Sequence, residues 1–471
     1  MINPAKLVKI PHILDFFCMN IADRKFGVPD NSLYFWILNL STMTTKEQLL
    51  HYVWKFRLFP QGSLETVDGQ KVEVIDPGVE NRDAGPDFFN AKISIGDRLW
   101  AGNVEIHHSS DEWMKHGHHL DKAYNSVILH LAERVNKEIM NERGQQIPQC
   151  VITVPEDIRR NADYLLYSNS PIPCKKFLSS LPVSMISSWL GVLSVERLER
   201  KTNRIYAYLE RFNHSWDDLF YVLLSRNFGF GLNADVFENL ALSLPLHYIQ
   251  KQSDSLFQVE ALLFGQAGML EESVMNDEYY NLLQREYAFL KAKYGLKNGD
   301  GFLFKSMRIR PRAFPQVRIA QLAALLQQSG RLFSLILEKE EVHQLRALFQ
   351  TAPSPYWQTH YTFGKASPKA VKPLGEASLD LLLINTVAPL LFAYGKKTDA
   401  AVYCNRAVQM LETLKPERNS IVNEFSAAGI VPKNAFDSQA LIQLRKEYCD
   451  TRKCLYCRIG HKLLSTSHSI R

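Results

Sequence analysis

The chain has 471 residues, a formal net charge of +6, 46% hydrophobic residues and 22% charged residues. That length and balance describe an ordinary globular protein of two to four domains, and the positive excess, while compatible with a nucleic-acid partner, is too small to argue for one alone. No membrane span is visible: the most apolar run, "LDLLLINTVAPLLFAY" (379–394), is short, is broken by Asn385 and Pro389, and reads as a buried helix. The seven cysteines are Cys18, Cys150, Cys174, Cys404, Cys449, Cys454 and Cys457. Three of them crowd the C-terminus, which points to a metal in a reduced, cytoplasmic setting rather than to disulfides.

Residues 1–42 fit poorly with the rest of the chain and read as a leader or a mis-annotated start. At Met43 the sequence "MTTKEQLLHYVWKF" opens an amphipathic helix over 44–57, with a threonine cap, Glu47 in the first turn, and Leu49, Val53 and Phe56 on the apolar face. Strand-like segments come near 63–67 and 71–76, joined by an Asp68-Gly69 turn. Then come the hairpin 88–107, a helix near 110–125, and two further strands at 126–132 and 150–155. Residues 43–155 thus read as an α/β domain. From 156 to 440 helical periodicity dominates without a fixed repeat length, which predicts an all-α domain. Residues 441–471 form a small cysteine-rich tail. The fold class expected is α+β.

The hairpin carries the chemistry. Gly96-Asp97 is a two-residue turn signal, and Ala91, Ile93 and Ile95 alternate before it. After it, Trp100, Val104 and Ile106 share one face of the second strand, and Asn103, Glu105 and His107 share the other. With Ile95 paired to Arg98, strict register sets Asp87 opposite Ile106 and on the wrong face. A three-residue turn, a bulge or a break in pairing at Pro86 would cure this. Asp87 and Glu105, converging with the Ile106 carbonyl, would make an all-oxygen site suited to Mg²⁺ or Mn²⁺, with His107 placed to orient or deprotonate a water.

This order of elements, with Pro86-Asp87 and then Glu105-Ile106-His107 on the next strand, resembles the PD-(D/E)XK nuclease superfamily over roughly residues 43–135. The resemblance implies a restriction-endonuclease-like domain and metal-dependent phosphodiester hydrolysis of DNA or RNA, with Glu47 matching the extra acid that many members carry. The sequence departs from the pattern at His107, where the superfamily usually has lysine. A longer string from Ala84 to His130 is similar to an uncharacterised bacterial family known only as a numbered domain of unknown function, 2851, a likeness that runs from Met43 to the tail and implies no activity.

Four further stretches bear on function. In "SSDEWMKHGHHLDKAYN" (109–125), Ser109 and Glu112 have capping-box spacing, and Trp113, Gly117, Leu120 and Tyr124 fall on one helical face. His116, His118, His119 and Asp121 lie mostly off that face and read as a solvated surface, or as groups of which His118 or Asp121 reaches the site. His130 reads as a core histidine. Cys449, Cys454, Cys457 and His461 have the spacing of a structural zinc site. An iron–sulfur cluster with Cys404 in place of His461, as some nucleases of the superfamily carry, is the alternative. In the helical domain Arg308, Arg310, Arg312 and Arg318, together with a basic stretch at 197–211, would grip phosphates, or would satisfy carboxylates and helix ends. "YWQTHYTFGK" (356–365) offers rings for base stacking. The expectation is a metal-dependent nuclease; a non-catalytic nucleic-acid-binding or scaffold protein that keeps the nuclease fold is the rival.

Overall fold

A computed structural model of the protein describes residues 47–465, apart from 61, 82, 272–274, 298–303 and 329. The expected leader 1–42, the proposed start at Met43 and Cys18 lie outside the described residues. The described chain divides into two compact units: one takes residues 47–174 together with 452–465, and the other is Lys175–Thr451. The sequence set its boundaries at 155 and 440. The chain crosses over later at both ends because helix α3 (Glu156–Leu166) packs with the C-terminal helix Arg458–Leu464: Asn161 Nδ2 donates to the Leu463 carbonyl at 3.4 Å.

The first unit is built on a mixed sheet. Helix α1 (47–55) precedes strands β1 (Val72–Asp76), β2 (Val79–Glu80), β3 (Phe88–Ile95), β4 (Arg98–Ser109), β5 (Val127–Arg134) and β6 (Gln149–Val151). The strand order is β1-β3-β4-β5-β6, with β2 also paired to β3; β4, β5 and β6 run parallel to one another and the β1–β3 and β3–β4 pairs are antiparallel. Ile95 pairs with Arg98 across the Gly96-Asp97 turn, as the turn signal predicts. Val104 and Ile106 on β4, and Leu129 and Leu131 on β5, are buried with Phe88, Val53 and Trp54. The second half of β4 is buried on both faces, since Glu105 and His107 are buried as well. The crossover from β4 to β5 covers that polar face.

The expected helix 110–125 does not run through. It is one turn, α2 (Glu112–Lys115), followed by two 3-10 turns at His118–Leu120 and Lys122–Ser126. Gly117, at φ 78°, sits in the left-handed region and stops the helix. Trp113 and Tyr124 are buried as expected, whereas Leu120 is exposed. Glu112 Oε2 does reach back, accepting the His108 and Ser109 N–H groups.

The second unit is helical around one large apolar core, except for a short antiparallel pair, His360–Thr362 with Lys365–Ala366, which the expected all-α domain did not include. Helix Leu256–Gln266 is buried from Val259 to its end, and Gly265 is required there, since a Cβ would fall 2.0 Å from the Tyr287 ring. The apolar run 379–394 is a helix that widens into a π turn at Leu383–Val387. Pro389 comes next and has no N–H to give; the Asn385 carbonyl one turn back accepts instead from Asn227 Nδ2. Glu376–Lys397 is long and apolar enough to cross a membrane, and 72% of its most apolar window is buried inside the protein.

Candidate metal centre

The bulge that the hairpin needs is present. Pairing runs Ala91 to Gly102, then Phe88 to Val104, so β3 spends one residue more than β4. Asn90, at φ 56°, takes up the extra residue, and its N–H is held by Asn103 Oδ1 at 3.2 Å. Asn is among the few residues that enter this region without large strain. The shift brings Asp87 opposite Glu105 rather than Ile106. The two are then tied reciprocally: the Asp87 N–H donates to Glu105 Oε2 at 3.0 Å, and Asp87 Oδ2 accepts the Ile106 N–H at 2.9 Å. The Ile106 group that meets Asp87 is therefore its N–H, where the sequence pointed to the carbonyl as a third ligand.

Around this pair the chain gathers two groups of ligating side chains. Glu47 and His51, one turn apart on α1, join Asp87, and their ligating atoms all lie within 4.8 Å of one another. His51 Nε2 is 3.4 Å from Asp87 Oδ2. Burial alone would lower the His51 pKa, but the bond and charge of Asp87, helped by Glu47 and Glu80, outweigh it and leave it raised. The second group is His107, His116 and His118, whose ligating atoms also lie within 4.8 Å of one another. Glu105 stands between the groups: Oε1 is 3.2 Å from His118 Nε2 and 3.6 Å from His107 Nε2.

His107 is packed on every side. Its Nδ1 is 2.9 Å from His130 Nε2 and its Nε2 is 3.2 Å from His116 Nδ1. Burial, and then the neighbouring His130, His118, His116 and His51, push its pKa far down. His130, fully buried, is lowered to about 3 by burial and then by His118. Both rings are therefore neutral at ordinary pH. His118 stacks on Tyr124 at 3.8 Å between centroids and meets the Trp113 ring edge-on. It is buried because Gly117 turns the chain, so the solvated reading of the histidine run fails for His118; His116 is exposed yet turns its Nδ1 onto His107, and Asp121 is exposed.

Among the residues singled out in sequence, Asp87, Glu105, His107 and Glu47 thus come together. The water-orienting role expected of His107 does not fit a ring buried with both nitrogens engaged. The sequence reading passed over His51, although Glu47 and His51 are spaced four apart on a helix and so share a face.

The C-terminal residues stand differently. Cys449 closes a π turn of the helical unit, and Cys404 lies there too, its Sγ 3.5 Å from the Phe392 carbonyl. Cys454, Cys457 and His461 belong to the sheet unit. Cys454 Sγ points to the Leu165 carbonyl, and burial, with Cys457 beside it, pushes its thiol up to about 12. His461 Nδ1 is 2.8 Å from the Tyr52 hydroxyl. Both gatherings of three or more ligating side chains among the described residues are in the sheet unit, and neither draws on the tail.

In the helical unit Arg308, Arg310 and Arg312 are exposed, but Arg318 is turned inward. It lies 4.1 Å over the Phe230 ring and donates to Gln321 and Ser378. The stretch 197–211 likewise serves internal partners: Arg197 and Lys201 donate to Gln439, Arg200 pairs with Glu447, and Arg204 with Glu238. The aromatic segment packs on itself, with Trp357 fully buried and Tyr356 stacked against both Tyr279 and His360. Trp357 and Phe363 are thus core residues, while Tyr356, His360 and Tyr361 are half-buried.

Taken together, this is a mixed α/β protein whose sheet presents a cluster of carboxylates and imidazoles at the β3–β4 bulge. The chain belongs to the family described as protein of unknown function (DUF2851), whose family model matches residues 47–420 and so ends short of the cysteine-rich tail. No curated protein and no solved structure matches it.

Proposed function

We propose that the sheet unit is a metal-dependent phosphodiester hydrolase of the PD-(D/E)XK type, with Asp87 and Glu105 as its central acids. The observation that carries this reading is the Asn90 bulge, which sets two acids eighteen positions apart opposite each other, with Glu47 beside Asp87. Three carboxylates and one imidazole suit a hard divalent ion such as Mg²⁺ or Mn²⁺. Bound there, such an ion would neutralise phosphodiester charge and acidify a water. Glu47, Asp87 and Glu105 would hold it; the reciprocal backbone bonds of Asp87 and Glu105 fix their carboxylates before any ligand arrives. His51, whose Nε2 lies 3.4 Å from Asp87 Oδ2, is the imidazole of that set. The exposed Arg308, Arg310 and Arg312 are suited to phosphate contact.

The test is cleavage of plasmid DNA, single-stranded DNA and RNA with Mg²⁺ or Mn²⁺. Asp87→Ala and Glu105→Ala should each lower the rate at least about 100-fold, as for other groups that stabilise transition-state charge. Cleavage that survives both substitutions removes the proposed site. Salt-sensitive binding without cleavage favours the rival, a nucleic-acid-binding protein that keeps the fold.

A further inference from the structure

Beside the acidic group lies a set of donors that hydrolysis by Mg²⁺ or Mn²⁺ does not use. We propose that His107, His116 and His118, completed by Glu105 Oε1, form a second metal site that takes a borderline transition ion, zinc foremost. The donor spacing supports it. A tetrahedral site with bonds of about 2.0–2.1 Å has edges of roughly 3.3 Å. Here His107 Nε2 to His116 Nδ1 is 3.2 Å, His118 Nε2 to Glu105 Oε1 is 3.2 Å, and His107 Nε2 to Glu105 Oε1 is 3.6 Å.

The ligand chemistry agrees. Three imidazole nitrogens and one carboxylate oxygen suit zinc-class ions better than Mg²⁺, which takes oxygen donors and an octahedral shell. His107 also has the support expected of a ligating histidine. Its Nδ1 lies 2.9 Å from His130 Nε2, a contact that fixes the ring, and the tautomer with the proton on Nδ1 would turn the Nε2 lone pair toward the other donors. His118 is clamped between Tyr124 and Trp113. His116 is exposed, which gives an ion a way in to ligands that are otherwise buried. Glu105, whose Oε2 takes the Asp87 N–H, would join this site to the acidic group. The inference shares Glu105 with the hydrolase reading and otherwise stands on its own donors.

Cobalt(II) is the probe, because a tetrahedral ion absorbs strongly in the visible and thiolate ligands add a separate charge-transfer band. The full-length chain is stripped with chelator and titrated with Co²⁺. The expected result is tetrahedral absorption that saturates at one equivalent without a thiolate band and is displaced by Zn²⁺. His116→Ala should weaken binding at least about 100-fold, since loss of a mere supporting partner costs about 10–100-fold. Its exposed position leaves the fold intact, which circular dichroism checks. His118→Ala should do the same, and Asp87→Ala should leave the spectrum in place. Octahedral absorption alone, a signal that always carries the thiolate band, bands that survive His116→Ala, or bands lost in Asp87→Ala would each overturn the proposal. Failure of nucleic-acid cleavage would leave this spectrum untouched, so the two readings fail separately.

Discussion

Asp87 and Glu105 illustrate how single residues acquire a role here through backbone bonds rather than through side-chain pairing alone. Each carboxylate accepts a main-chain N–H from the other's strand, so neither can rotate away without stranding a partly buried donor. A different buried acid, Glu260, gives a residue-scale prediction in the helical unit. It is fully buried, and Oε2 accepts from the Tyr279 hydroxyl and from Ser354 Oγ. Burial raises its pKa from 4.5 to about 7, against the lowering effect of those bonds. A carboxyl whose folded pKa lies above its unfolded value gives up stability as it ionises: its contribution is whole below about pH 4.5 and is lost as pH climbs through about 7. The loss is on the order of 3 kcal/mol. Glu260→Gln, which stays neutral and keeps an oxygen acceptor, should flatten this dependence and be the more stable form at about pH 8. Thermal midpoints of both proteins between about pH 5 and pH 8 check it; parallel pH profiles would refute it.

At the scale of elements, two short irregularities make the site. One is the Asn90 bulge, without which Asp87 would face away from Glu105. The other is Gly117, which ends α2 after one turn and drops His118 onto Glu105. A Cβ at Gly117 would meet nothing within 4 Å, so the whole cost of a side chain there is conformational. Gly117→Ala should therefore destabilise the protein by about 1 kcal/mol, and Gly117→Asn by less, in denaturant unfolding. A neutral Gly117→Ala would mean that the turn is not held at positive φ. Both devices were partly legible. The Gly96-Asp97 turn fixed the hairpin register well enough to show that a correction was needed, and a bulge was one of three ways to supply it. Gly117 was placed on a helix face because the apolar spacing through Trp113, Leu120 and Tyr124 is helical. Spacing alone does not report which glycine a chain uses as a stop.

For the molecule as a whole, the decisive fact is that the last residues return to the first unit. Ile459, Leu463 and Leu464 are buried, Gly460 has room for no Cβ because the Cys454 carbonyl would lie 2.0 Å from it, and His461 meets Tyr52 near the end of α1. Burying three such aliphatic side chains contributes roughly 1.5–3 kcal/mol each. A chain ending before Arg452 should lose hydrogen-exchange protection in β4 and β5 while helix Leu256–Gln266 of the other unit keeps it; equal protection in both proteins would show the tail to be dispensable. The sequence by itself determined the α+β class, the hairpin and its turn, the helical middle and the acids worth watching, because periodicity and turn chemistry act over a few residues. Only the tertiary structure decided that Asp87 faces Glu105, that His51 and His118 join them, that Arg318 and Trp357 are turned inward, and that the tail packs on α3. Those outcomes depend on register, on one residue in the left-handed region and on contacts between segments hundreds of positions apart, none of which a local pattern encodes.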